Sequence, residues 1–179
     1  MKKSTIIASV AFLFCILLTA NVNAQQFRDL DKSPLDAAYF PGRSADKFVK
    51  IYYSRPQLKG RDLATLAPNG KVWRTGANEN PEIIFYKDVK LGDNVIKAGT
   101  YSLFTIPGEK EWTVIINSDL NNWGAFSYKQ ENDVARFSVP ASSTQEPLEA
   151  FSISFEGVDN GVHMHMGWGT TRVAVPFTK

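Results

Sequence analysis

A chain of 179 residues with 44% hydrophobic content is long enough for one domain, and should bury about 68–70% of its unfolded surface without covalent staples. Its formal net charge of +2 comes with no long basic stretch, which argues against nucleic acid or an anionic membrane as the main partner. The single cysteine, Cys15, lies near the N-terminus, so the rest of the chain has no disulfide, thiol nucleophile or thiolate metal site.

Lys2 and Lys3 precede an apolar run over 6–18 broken only by Ser9, and a small-residue site follows at Val22-Asn23-Ala24. That order is the one found in a secretory signal peptide, expected here over residues 1–24 with Gln25 as the new N-terminus. A membrane anchor is the alternative, but a spanning helix needs about 20 apolar residues, and Asn21 and Asn23 stand right behind this shorter run. Lipid attachment at Cys15 would call for a small residue before it, where Phe14 stands. Cleavage removes two of the 20 basic residues and none of the 18 acidic ones, so residues 25–179 carry no net charge. The expected product is periplasmic or extracellular, without a transmembrane segment.

Residues 25–46 show no clear periodicity, and period-two patterning dominates from Lys47 onward. Strands are expected over 47–54, 82–86, 99–106, 111–117, 134–139, 150–156, 161–168 and 172–177. In 150–156, for example, Phe151, Ile153 and Phe155 alternate with Ser152, Ser154 and Glu156, giving one buried and one wet face. The stretch RDLATLAP over 61–68 makes at most a helical turn, and 140–147 reads as a polar loop. Gly92-Asp93-Asn94, Pro107-Gly108 and Asp159-Asn160-Gly161 supply turn chemistry. A turn at Gly108-Glu109 would set Thr105 opposite Trp112, Leu103 opposite Val114 and Tyr101 opposite Ile116. Phe104 and Ile115 would then make the other face apolar too, so this hairpin should be central and covered on both sides. The sum is an all-β, single-domain antiparallel β-sandwich or jelly-roll-like fold of about eight to ten strands over residues 25–179.

Tyr53-Ser54-Arg55-Pro56-Gln57-Leu58-Lys59-Gly60-Arg61 resembles the YSRP-x-LKGR segment of the bacterial domain of unknown function 2911 family. Val72-Trp73-Arg74-Thr75-Gly76-Ala77-Asn78-Glu79 is similar to its VWRTGANE segment, with AGTYSL from Ala98 and Trp123-Gly124-Ala125-Phe126 following in order. The resemblance implies an exported bacterial protein and carries no established activity. His163-Met164-His165-Met166 departs from the apolar-and-basic alternation expected there.

Two places gather chemistry. Arg55, Arg61, Trp73, Arg74, Thr75, Asn78 and Glu79 could frame a pocket in which guanidinium groups hold a carboxylate, phosphate or sugar while Trp73 offers a stacking face. The plainer alternative is an Arg74–Glu79 salt bridge that pins a loop. Trp123, in Asn121-Asn122-Trp123-Gly124, is the candidate for an exposed platform, unless it folds back to cap the sandwich. A turn at Asn160-Gly161 would set Glu156 opposite His165 and Val158 opposite His163, so that His163, His165 and Glu156 share one face. A His-x-His pair with a carboxylate suits zinc or copper; the alternative is an ordinary wet face, and no other cofactor is implied.

Catalysis has less to stand on. No nucleophile-elbow sequence occurs, a serine triad would have to use His163 or His165, and Glu79, Glu82, Asp88 and Asp93 could pair as carboxylates only by chance. The reading is therefore a non-catalytic binding module for a small polar ligand, glycan or envelope partner. A metal-dependent or carboxylate-based hydrolase and a purely structural envelope protein are its rivals.

Overall fold

The structure is a computed structural model that describes residues 26–179; the leader expected over 1–24 lies outside the described residues. Residues 26–30 carry no regular secondary structure. From Asp31 to Lys179 the chain forms β1 (Leu35–Phe40), β2 (Val49–Ser54), the single turn α1 (Leu63–Leu66), β3 (Glu82–Phe85), β4 (Val89–Leu91) and β5 (Asn94–Ile96). Then come β6 (Gly99–Ile106), β7 (Glu111–Asn117), β8 (Asp133–Val158) and β9 (Gly161–Thr178).

All pairings are antiparallel, in the order β1-β2-β3-β6-β7-β8-β9-β4-β5. The long strand β8 makes two layers from one sheet: up to Pro140 it pairs with β7, and from Ala141 onward with β9. Its second half comes back to β2. The Tyr53 hydroxyl accepts from Ile153 N at 2.9 Å and donates to Ile153 O at 3.3 Å. Beyond the end of β2, Phe151 N donates to Pro56 O and Leu58 N to Glu149 O.

The inward positions of the two layers interlock as one apolar cluster. Ile51, Tyr53, Ile83, Leu103, Val114 and Ile116 face Phe151, Met164, Met166, Trp168, Val175 and Phe177. Trp73 lies at its centre, stacked on Trp168 at 5.5 Å and edge-on to Phe151 at 5.2 Å and Trp112 at 6.0 Å. Such pairs add about 0.5–1.5 kcal/mol each beyond the area they bury.

Several expectations from sequence are corrected. The β6–β7 hairpin pairs Leu103 with Ile116 and Thr105 with Val114, two residues away from the expected register. Its connection is longer because Pro107 O accepts from Gly70 N and Lys110 O from Ala141 N. A two-residue slip preserves faces, so Phe104 and Ile115 are still fully buried opposite the main core face. The expected polar loop at 140–147 belongs to β8, with Ala141, Ser142 and Ser143 paired to Val173, Arg172 and Thr171 and irregularities on either side of Leu148. β1 escapes the period-two signal because Asp36 shares the inward parity of Ala38 and Phe40 and pairs with Arg55 at 3.0 Å.

Candidate functional site

The segment after α1 meets β6 twice. Trp73 exchanges backbone hydrogen bonds with Thr105, and Leu103 N donates to Pro81 O, so residues 74–80 bow outward between two fixed points. Thr75 and Asn78 take positive φ values of 57° and 60°, which turn the chain. Thr75 is fully buried, its Oγ1 3.1 Å from Thr105 Oγ1. The bow then meets the 121–126 segment: Gly124 N donates to Asn78 O and Asn80 N to Asn122 O, both at 3.1 Å, with Glu79 bridged to Trp123.

Arg74 lies in this junction, half-buried. Among the described residues its side chain makes one hydrogen bond, a long 3.4 Å contact from Nε to Gly76 O, and no carboxylate pairs with it. Burial pulls the guanidinium pKa down, the effect of removing water without supplying an anion. Gly124 makes room for it. At φ +72° a Cβ there would stand 3.1 Å from Arg74 Nη1 and 2.9 Å from Phe126 Cε2. Trp123 is 61% and Phe126 89% exposed beside it. Asn80 is 5% exposed, yet among the described residues neither its Nδ2 nor its Oδ1 has a partner, and Asn122 Nδ2 has none either.

The junction thus gathers Arg74, Asn78, Glu79 and Trp123 from the sequence-derived set. It excludes the others. Trp73 is a core residue whose ring face is covered by Trp168, so it offers no stacking surface. Thr75 is sealed beneath the loop. Arg55 joins β1 to β8, donating to Asp36 Oδ2, Phe151 O and Ser152 Oγ. Arg61 is exposed and donates to Leu58 O and Gln57 O of its own loop. The alternative Arg74–Glu79 salt bridge does not form. Asn80, Asn122, Gly124 and Phe126 also lie at this junction and were not among the sequence-derived candidates. Their proximity comes from two loops meeting, and no local pattern marks it.

The β8–β9 hairpin turns one residue earlier than expected, at Asp159-Asn160, which shifts the register by two and sets Glu156 opposite His163 and Ser154 opposite His165. Neither Asp159 nor Asn160 takes the positive φ of a type I′ turn, which corrects the expected register. His163, His165 and Glu156 still share the outer face. His165 Nε2 is 3.0 Å from Glu156 Oε2, while the two imidazole centres are 6.1 Å apart. Among the described residues no three His, Cys, Asp or Glu side chains converge to hold a metal ion. His165 also borders a groove of about 400 Å³ with Ser154 and Arg172. The Ser154 hydroxyl makes no hydrogen bond to the His165 ring, and Arg172 is engaged by the carbonyls of Glu146, Gly169 and Thr171.

Residues 35–177 match the family model described as "Protein of unknown function (DUF2911)". The chain belongs to the DUF2911 family. The match spans all nine strands and both loops of the Arg74 junction. No match emerges for this DUF2911 domain among curated proteins or among solved structures. Among the described residues no helix is long and apolar enough to cross a membrane.

Proposed function

We propose that this domain is an exported, non-catalytic binding module that holds a small ligand bearing a carboxylate or phosphate at the junction of residues 74–80 and 121–126. One observation carries the reading: the half-buried Arg74 guanidinium keeps one long hydrogen bond and, among the described residues, no carboxylate partner. A bidentate anion would restore what burial removed, and such charge-assisted pairs are the strong hydrogen bonds of proteins. Asn80 and Asn122 supply further donors and an acceptor, and Trp123 a flat apolar wall for a ring.

Thermal unfolding against carboxylates, phosphates and acidic sugars tests it. A ligand at 100 times its Kd adds about 2.7 kcal/mol to the folded state. That gain should vanish in Arg74→Ala and shrink in Arg74→Lys, which keeps the charge and loses the fork. If no compound shifts the transition and Arg74→Ala only destabilises the protein, the junction is structural and the binding reading fails.

A further inference from the structure

The outer face of the larger layer is covered over only part of its width. Over β6 and β7, the outward positions Ser102, Phe104, Ile115 and Asn117 are buried. Residues 118–133 fold across them: Tyr128 meets Phe104 at 5.2 Å between ring centres, Asn117 Nδ2 donates to Lys129 O, and Ser102 donates to Asp119 O. Among the described residues the same face of β1–β3 has no such cover. It carries Tyr39, Tyr52 and Tyr86, which are 46%, 39% and 45% exposed.

Two lysines stand among these rings. Lys50 lies between Tyr39 on β1 and Ile84 on β3 in register, with its Nζ 3.1 Å from the Tyr52 hydroxyl and 5.2 Å from that ring's centre. The Tyr52 hydroxyl raises the Lys50 pKa, first by hydrogen bonding and then by charge, and Tyr86 and Tyr39 add to this. Lys47 Nζ sits 4.5 Å over the Tyr39 ring, held by the carbonyls of Pro41 and Gly42. Neither lysine has a carboxylate partner among the described residues, whereas nearby Lys87 is paired with Asp46. Glu82, opposite Tyr52, is the acidic group on this face.

We propose that the β1–β3 face binds an acidic polysaccharide, with sugar rings against Tyr39, Tyr52 and Tyr86 and acidic groups on Lys47 and Lys50. Tyrosine rings give flat apolar contact at small entropic cost, as stacking on a sugar requires. Their spread over neighbouring strands, about 5 Å apart, fits a run of sugar rings better than a single one. The uncompensated lysines select an anionic chain over a neutral one. This inference is independent of the Arg74 junction.

Native electrophoresis through gels containing polygalacturonate or neutral dextran, with co-sedimentation on phosphatidylglycerol vesicles, tests it. Retardation is expected with polygalacturonate and not with dextran. The double variant Tyr52→Ala/Tyr86→Ala and the single variant Lys50→Glu should each weaken it about tenfold or more. Tyr52→Phe/Tyr86→Phe and Arg74→Ala should keep it. No retardation, equal retardation of the alanine variant, equal retardation by dextran, or vesicle binding without polygalacturonate binding would each overturn the proposal. Loss in Arg74→Ala with retention in the tyrosine variant would overturn it too, by moving the polymer to the other site.

Discussion

The segment 118–133 is held at its base and open at its tip, and the two regions treat buried polar groups in opposite ways. At the base, Asn117 Nδ2 donates to Lys129 O and Asp133 Oδ1, and its Oδ1 accepts from Asp119 N. Tyr128 and Arg136 both donate to Asp133 Oδ2, at 2.6 and 2.7 Å. At the tip, Arg74 keeps one long hydrogen bond, and the amides of Asn80 and Asn122 leave three buried atoms without partners. A buried polar group left unsatisfied costs roughly 1–3 kcal/mol, so the first region stabilises the fold and the second carries a standing cost.

Removing Asp133 should break this contrast most severely. Asp133→Ala takes away the acceptor shared by Asn117, Tyr128 and Arg136, and should destabilise the protein by about 3 kcal/mol in urea unfolding. A loss below about 1 kcal/mol would mean that the base is solvated and not a clamp. Asn80→Leu should move the other way. It replaces unpartnered polar atoms with an apolar side chain of similar size, so the free protein should gain about 1 kcal/mol while any ligand-induced rise in Tm disappears. Destabilisation instead would show that Asn80 is satisfied in solution, and the contrast between base and tip would collapse.

Tyr128 gives a smaller and pH-dependent effect. Burial, and then its hydrogen bond to Asp133, push its pKa from an ordinary 10.0 up to about 12. The neutral phenol is therefore the form the fold favours. Its contribution is complete below pH 10 and is lost as pH rises through about 12. Tyr128→Phe should cost about 1 kcal/mol at neutral pH and flatten the fall in stability over that alkaline window. Parallel curves for the two proteins would place Tyr128 outside the clamp.

Sequence patterning revealed the strands best where one face is buried, since Phe151, Ile153 and Phe155 alternate with polar residues in the way a half-wet strand requires. It failed on register at both hairpins by the same two residues. A slip of two leaves every side chain on its original face, so hydrophobic pattern cannot detect it. The longer β6–β7 connection is bonded to remote donors, Gly70 N and Ala141 N, which local pattern does not reveal. The family resemblance drew attention to Trp73–Glu79, and alternation within it separates a buried Trp73 and Thr75 from a half-buried Arg74. No local rule could couple Asn80 to Asn122 or place Gly124 beneath the guanidinium, because those relations arise only when distant loops meet.

The outer face of β8 and β9 sharpens the contrast from the exposed side. His165 and Glu156 form an ion pair when the imidazole is protonated, with side chains 39% and 67% exposed. Water can replace either partner, so exposed pairs of this kind contribute from about 0 to 1 kcal/mol. His165→Ala and Glu156→Gln should each change stability by less than about 0.5 kcal/mol, well below Asp133→Ala. Added zinc or copper should leave Tm unmoved, since the imidazole centres are 6.1 Å apart and no third ligand converges on them among the described residues. A metal-dependent rise in Tm that His165→Ala abolishes would require both rings to rotate toward one ion, and this face would then be a binding site in its own right. Without that rise, proximity of polar groups does not by itself mark a site on this protein. Among the described residues Asn80 is buried without partners and Arg74 is half-buried with one long hydrogen bond, conditions that His165 and Glu156, paired with each other, do not meet.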